Sequence, residues 1–389
     1  MPGKLLYTAS TYSHIANFHL PYLRAFREAG WIVHVACGGT AMALPEADRV
    51  VDVPFAKRMT APENLGCARR LGELMKREAY DLVITHTSLA AFFTRLPLLG
   101  RKDRPRVINT VHGYLFDDDT TVPKRQILLA AERLTAPCTD LVLVMNRADE
   151  ALARRYRLGG EIGFIPGMGV PYGRLDAVSE TDGRTYRREL GIPDTAFLMV
   201  YAAEFSRRKH QAFLIQALRG LPERAMLLLP GEGAERGACR ALAEELGLAE
   251  RVRFPGQLGD PSLCYRAADC AVSSSRSEGL PFNIMEAMHA GLPVVASDVK
   301  GHRDLLGDGC GLLYPYDDRA AFQKAVTLLM DSPGEAMRLG LAAAGAAERL
   351  RLEAVLPQVL EAYGLTAEVL AKCARHAVEK KAGPKDCAE

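Results

Sequence analysis

Short apolar runs that end in small or polar residues recur along this chain, and each precedes a stretch with helical spacing. LLYTAS (5–10) comes before HLPYLRAFREAG (19–30), which stops at Gly30, a residue suited to a helix C-terminus. WIVHVACGG, DLVITH, RVINTVHG and DLVLVMN continue the series. A second series opens near residue 195 with AFLMVYAAE and the helical KHQAFLIQALRGL. AMLLLPGEG, RVRFPGQ, CAVSSS, LPVVASD and GLLYPYD complete it. Alternation of this kind predicts an α/β chain of two Rossmann-like, doubly wound parallel-sheet domains. Ligands then bind at the carboxyl ends of the strands. The polar stretch GVPYGRLDAVSETDGRTYRREL breaks the pattern, which places a linker at about 172–186. The expected division is 1–176, 177–350 and a set of C-terminal helices over 351–389 that packs back toward the N-terminal domain. The last residues, EKKAGPKDCAE, read as a frayed tail.

A length of 389 residues suits two cores better than one. With 48% hydrophobic and 25% charged residues the chain reads as globular, not disordered. A net charge of +2 gives no nucleic-acid signal. The nine cysteines are odd in number and scattered, with no C-x-x-C, which argues for reduced thiols over a zinc site or a disulfide framework. MPGKLLYTAS runs straight into the first strand without a signal-peptide pattern, and no apolar run nears the roughly 18 residues of a spanning helix. The expected location is the cytoplasm, with a membrane surface left open. No G-x-G-x-x-G follows the first strand, so a dinucleotide-dependent oxidoreductase is a poor reading.

The string SSSRSEGLPFNIMEAMHAGLPVVASD carries the strongest chemical signal. CAVSSS reads as a buried strand, Ser277, Glu278 and Gly279 as a loop, and Pro281 as the start of a helix that runs to about His289 and ends at Gly291. A helix N-terminus at the carboxyl edge of a sheet suits a diphosphate. Glu278 precedes the helix and Glu286 lies one to two turns inside it, so the two carboxylates can address two parts of one long ligand. A carboxylate accepts from two hydroxyls, which suits a ribose diol or a sugar ring.

This string resembles the Glu-x7-Glu signature of family 4 retaining glycosyltransferases, which have the GT-B fold with the site in the cleft between two domains. The resemblance covers nearly the whole chain. NTVHGYLF, CTDLVLVMNRAD and GFIPGMGV are similar to the branch that builds capsule, exopolysaccharide or lipid-linked oligosaccharide. It implies that Glu286 holds the ribose hydroxyls and Glu278 contacts the donor sugar. Gly279, Leu280 and Pro281 then approach the sugar and diphosphate, with Asn283 and Ile284 in the first helical turn. His112 matches the histidine near the transferred sugar, which with Lys209 and Glu278 makes up the implied catalytic set. In AAEFSRRKHQAFLIQ, Lys209 matches the lysine of the family's G-R-L-x-x-x-K, but Glu204 stands where its arginine is expected. Ser206 and Arg207 or Arg208 are left to complete the diphosphate site. Gly256 and Gln257, in PGQLGD, are candidates to flank the base, as is the loop PGEG (230–233).

In the N-terminal part, the loop after the first strand has Thr11, Tyr12, Ser13 and His14 where the family has glycines. Ser13, His14, Asn17 and Tyr114 are the acceptor-side candidates. His14 and His19 are five residues apart, which is not a usual zinc spacing, and the family fold requires no metal. The run Asp117, Asp118 and Asp119 reads as solvated or near the acceptor. AAFFTRLPLLGRKDRPRV (90–107) mixes apolar side chains with Arg95, Arg101, Lys102, Arg104 and Arg106, which suits an anionic membrane surface and places a peripheral contact at 91–107.

The resulting expectation is a retaining transferase that moves a hexose or N-acetylhexosamine from a UDP-sugar to a polyprenyl-diphosphate-linked saccharide, with no cofactor, at the inner face of the cell membrane. The rival readings are a UDP-sugar epimerase of the same fold and a non-catalytic nucleotide-sugar-binding protein.

Overall fold

A computed structural model describes residues 3–117 and 120–365. The tail EKKAGPKDCAE, and with it Asp118 and Asp119, lies outside the described residues. The chain forms two compact units. One runs to Gly169 and resumes at Glu353; the other is Val170–Leu352.

The first unit holds a sheet of seven parallel strands: β1 (Lys4–Thr11), β2 (Ile32–Gly38), β3 (Arg49–Asp52), β4 (Leu82–His86), β5 (Arg106–Val111), β6 (Leu141–Val144) and β7 (Glu161–Phe164). Their order is β3-β2-β1-β4-β5-β6-β7, so the strand order reverses between β1 and β4. Its helices are α1 (Tyr12–Phe18), α2 (Leu20–Glu28), α3 (Glu63–Glu78), α4 (Ser88–Arg95), α5 (Val122–Thr135) and α6 (Arg147–Tyr156). β3 and β7 were not among the expected strands. Each has four residues, closes an edge of the sheet and is largely uncovered, so neither carries the continuous apolar run of a central strand.

The second unit has six parallel strands: β8 (Phe197–Val200), β9 (Ala225–Pro230), β10 (Val252–Gly256), β11 (Cys270–Ser273), β12 (Val294–Ser297) and β13 (Leu312–Tyr314). All six were expected. The order β10-β9-β8-β11-β12-β13 reverses between β8 and β11. Successive residues of β8 and the position after it go to opposite cores: Leu198 and Val200 to one, Met199 and Tyr201 to the other. A strand buried on both faces has to be apolar throughout, which is why AFLMVY is so readable. The helices are α7 (Gly173–Asp176), α8 (Glu180–Glu189), α9 (Gln211–Leu218), α10 (Arg236–Glu245), α11 (Ser262–Ala267), α12 (Phe282–His289), α13 (Lys300–Leu306), α14 (Arg319–Asp331) and α15 (Pro333–Ala347).

The expected linker at 172–186 is instead built into this unit. Tyr172 is buried and stacks on His289 at 3.8 Å between ring centroids. Ser179 and Asp182 form a reciprocal capping box that starts α8. α8 misled the reading because its inward face is not apolar. Gly183 lies so near the Arg266 carbonyl that a Cβ would come within 2.3 Å of it, and Arg187 is bonded to Asp269 at 2.9 Å. The crossing between units is at Gly169/Val170, and the chain returns after Leu352. Val170 accepts from the Leu352 amide at 3.0 Å and donates to the Leu350 carbonyl at 2.9 Å, so these two points lie side by side. α16 (Leu352–Ala362) then leads to Tyr363, which belongs to the first unit; its hydroxyl lies 3.1 Å from that of Thr110.

Candidate active site

In the second unit, the site is built where the strand order reverses. The loop after β8 brings Lys209 and the loop after β11 brings Glu278. A turn over Ser206–His210, closed by the Lys209 and His210 amides on the Ser206 carbonyl at 3.0 Å each, aims Lys209 inward. Lys209 Nζ donates to Glu278 Oε1 at 2.6 Å, and Arg208 Nη1 donates to Glu278 Oε2 at 2.9 Å. The Ser275 hydroxyl also donates to Glu278 Oε1, at 2.5 Å, and lies 2.7 Å from the Tyr201 hydroxyl. Burial would raise the Glu278 carboxyl, but the Lys209 ammonium and the Arg208 guanidinium outweigh it and hold it at about 2. Glu278 is therefore a permanent anion that keeps two cations in position.

Of the two arginines left open by the sequence, Arg208 faces Glu278. Arg207 is 93% exposed and lies beside Glu235 at 3.6 Å. Glu204, at the place of the expected arginine, is exposed, and its backbone carbonyl accepts from Gln211 at 2.9 Å.

Glu286 has a different environment. It sits on α12, half-buried, and accepts one hydrogen bond from the Tyr265 hydroxyl at 2.8 Å. Burial raises its carboxyl to about 7 despite that bond, with Asp260 adding to the rise. Pro281 immediately precedes α12, and Gly291 follows it with a φ of 78°. Leu280 and Asn283 are half-buried there. Ile284 departs from expectation. Its side chain is in the core, and its amide donates to the Pro281 carbonyl at 3.2 Å, so it has no group to offer a ligand. A Cβ on Gly301 would lie 2.5 Å from the Gly279 carbonyl, so the start of α13 is packed directly on the Glu278–Gly279 loop. Gly256 ends β10 at a φ of 85°, and its carbonyl accepts from Gly231 at 2.8 Å. Gln257 beside it is exposed.

Sequence reasoning missed Tyr201, Ser275, Tyr265 and His302. His302 is wholly buried, and its Nδ1 lies 2.7 Å from the Ser297 carbonyl. The serine run of CAVSSS held a clue to Ser275. Tyr265 and His302 had none, since only folding brings them to Glu286 and Glu278.

In the first unit, Thr11 caps α1 through its hydroxyl, which accepts from the His14 amide at 3.2 Å. The expected first loop is therefore helix from Tyr12 on. Ser13 and Asn17 are exposed on α1 and His14 is half-buried. His112 follows β5, and its Nε2 lies 2.9 Å from Nδ1 of His86 at the end of β4. Tyr114 differs from the surface position expected: its side chain is buried in a core with Phe116 and Leu129. Asp117 accepts from the Thr120 hydroxyl at 2.7 Å.

In the segment 91–107, Lys102 and Arg106 are exposed, while its other cations are engaged within the protein. Arg95 is fully buried, and its guanidinium is bonded to Ala91, Thr139 and Glu132 at 3.0, 3.0 and 2.9 Å. Arg104 is spent on Asp140 and Arg101 on Asp103. No helix among the described residues is long and apolar enough to cross a membrane.

Residues 182–345 match the model of the group 1 glycosyl transferases, and residues 22–167 match that of glycosyltransferase family 4. A Bacillus subtilis protein named as glycosyltransferase EpsD is 33% identical over 346 residues, spanning 87% of this chain and 91% of its own length. The chain belongs to glycosyltransferase family 4. Another relative of this family 4 chain is the UDP-Gal:α-D-GlcNAc-diphosphoundecaprenol α-1,3-galactosyltransferase of Escherichia coli. It is 25% identical over 272 residues, 67% of this chain and 69% of its own. Among solved structures, Anabaena HepE in complex with UDP and glucose superposes with a TM-score of 0.76. It covers 92% of this chain and 99% of its own at 19% identity, which bears on the fold alone. The architecture is the GT-B type.

Proposed function

We propose that this family 4 glycosyltransferase moves a hexose or N-acetylhexosamine from a UDP-sugar, with retention, to a polyprenyl-diphosphate-linked saccharide. The observation that carries the proposal is the Glu278–Lys209–Arg208 group where the strand order of the second sheet reverses, with Glu286 eight residues on. Before donor binds, Glu278 serves as counter-ion to both cations. The donor diphosphate takes over that part, and charge developing on it as C1–O breaks meets an ammonium and a guanidinium already in place. The new C1–O bond to the acceptor forms on the same face, and the acceptor proton passes to the leaving diphosphate. UDP is released. Glu286 receives the ribose hydroxyls on the carboxylate positions not used by Tyr265. No resident metal or cofactor enters this transfer.

The acceptor class draws support from the E. coli relative, whose name specifies a diphosphoundecaprenol-linked substrate. It also draws support from α5. Val122, Ile127 and Leu134 are 60%, 68% and 50% exposed on that helix, with Lys124 and Arg133 exposed beside them. Apolar side chains ringed by cations suit an anionic lipid surface. We place the membrane contact there, on a protein otherwise located in the cytoplasm.

The test is to incubate the enzyme with a panel of UDP-sugars and a polyprenyl-diphosphate N-acetylglucosamine acceptor, and to read the anomeric coupling of the product by NMR. Formation of a glycoside with the donor's own anomeric configuration is expected. An inverted product refutes retention. Conversion of the UDP-sugar without acceptor selects the epimerase reading instead.

A further inference from the structure

Four histidines from three strand ends of the first unit meet where its strand order reverses. His14 and His19 follow β1, His86 ends β4 and His112 follows β5. Ring centroids of His14 and His19 are 4.9 Å apart, those of His14 and His112 4.8 Å, and those of His19 and His86 4.2 Å. The Nε2 atoms of His14, His19 and His86 are all buried and have no hydrogen-bond partner among the described residues. Burying such nitrogens without partners is unfavourable, and a ligand on His14 and His19 would occupy two of the three. We propose that His14, His19 and His112 bind a divalent transition-metal ion of the Zn2+ class.

One ring nitrogen from each of the three lies within 4.8 Å of the other two. Tetrahedral ligation with bonds of about 2.0–2.1 Å needs nitrogens roughly 3.3–3.4 Å apart, so side-chain rotation has to close the triangle by up to about 1.5 Å. His14, half-exposed on α1, has room for that movement. The site is already oriented from behind. His19 Nδ1 lies 2.8 Å from the Tyr7 hydroxyl, and donation to that oxygen leaves the Nε2 lone pair facing the cluster. His86 stacks on Tyr7 and holds His112. Such outer contacts fix the tautomer of a ligating imidazole.

Three imidazoles select Zn2+, Co2+, Ni2+ or Cu2+, and not Mg2+ or Ca2+, which take oxygen ligands. Three protein ligands leave the fourth position open to an oxygen. The spacing of His14 and His19 alone gave no reason to expect this; His112, from a distant strand, completes the set.

The test uses the full chain, freed of metal by chelator and dialysis and titrated with Co2+ and Zn2+. One equivalent is expected, with visible d–d bands of tetrahedral nitrogen-ligated Co2+ that Zn2+ abolishes and Mg2+ in excess does not. His14→Ala and His112→Ala are each expected to weaken Zn2+ binding at least about 100-fold, and His86→Ala about 10- to 100-fold through loss of orientation. His19 is wholly buried, so the two half-exposed ligands are the variants of choice, each checked for an unchanged circular dichroism spectrum without metal. Binding below a stoichiometric level overturns the proposal. So does stoichiometric binding that survives in both variants, since it then belongs to other histidines or to cysteines. The readout is metal bound, not sugar transferred, so its failure leaves the transferase reading standing, and the reverse also holds.

Discussion

Glu278 and Glu286 sit in opposite electrostatic surroundings, and each residue predicts a different experiment. Glu286 is raised to about 7 by burial, whereas a glutamate in an unfolded chain titrates near about 4.3. Between these values the folded state keeps a proton that the unfolded state has lost, so this group's contribution to stability falls as pH rises through that window. Gln carries no such penalty. Glu286→Gln is expected to match the wild type near pH 4 and to exceed its stability by up to about 3 kcal/mol at pH 8, in urea melts. The same variant should bind uridine more weakly at pH 8. Wild-type uridine affinity, free of any titrating phosphate, should rise from pH 6 to 8 as the acceptor carboxylate ionises. A variant no more stable than wild type at pH 8 removes the burial argument. Around Glu278, Arg208→Ala should lower turnover by about 10-fold or more, as loss of a charged group aimed at a leaving group does. Arg207→Ala, which removes an outward side chain, should change it far less. Equal losses in steady-state assays of the two variants would place both arginines on the diphosphate.

At the scale of elements, α5 divides its two faces cleanly. Inward, Glu132 pairs with the buried Arg95; outward, Ile127 and Leu134 meet solvent with Lys124 and Arg133. Ile127→Glu with Leu134→Glu should reduce co-sedimentation with phosphatidylglycerol vesicles several-fold and leave turnover on a short water-soluble acceptor intact. Undiminished vesicle binding would move the membrane contact elsewhere. For the charge run of 91–107, sequence shows the number of cations and not where their partners lie. Arg95, Arg101 and Arg104 are answered by Glu132, Asp103 and Asp140. α8 misled the reading: its packing rests on a glycine and an arginine, so helical periodicity of apolar residues was absent.

At the scale of the whole molecule, the first unit is discontinuous in sequence. Tyr363, fully buried, packs its ring 6.2 Å from that of Tyr22 and 6.3 Å from that of Phe26. A chain ended after Leu352 should therefore lose stability in the seven-stranded unit alone. Calorimetry should resolve a lowered transition for that unit, while UDP still raises the transition of the other, since a ligand stabilises only the fold it binds. A single cooperative loss of both would mean that the units do not unfold separately. The alternation of apolar strands with amphipathic helices determined the α/β class and the paired sheets, because strands covered on both faces must be apolar along their length. The Glu-x7-Glu string likewise determined that one carboxylate lies in the loop after a strand and the other on the helix that follows, because a strand, a loop and a helix start lie next to each other in the chain. Tertiary structure alone decided what surrounds those carboxylates: Lys209 and Arg208 against Glu278, Tyr265 against Glu286. It alone gathered His14, His19, His86 and His112, since the parallel strands that bring them together are separated by whole helices in sequence.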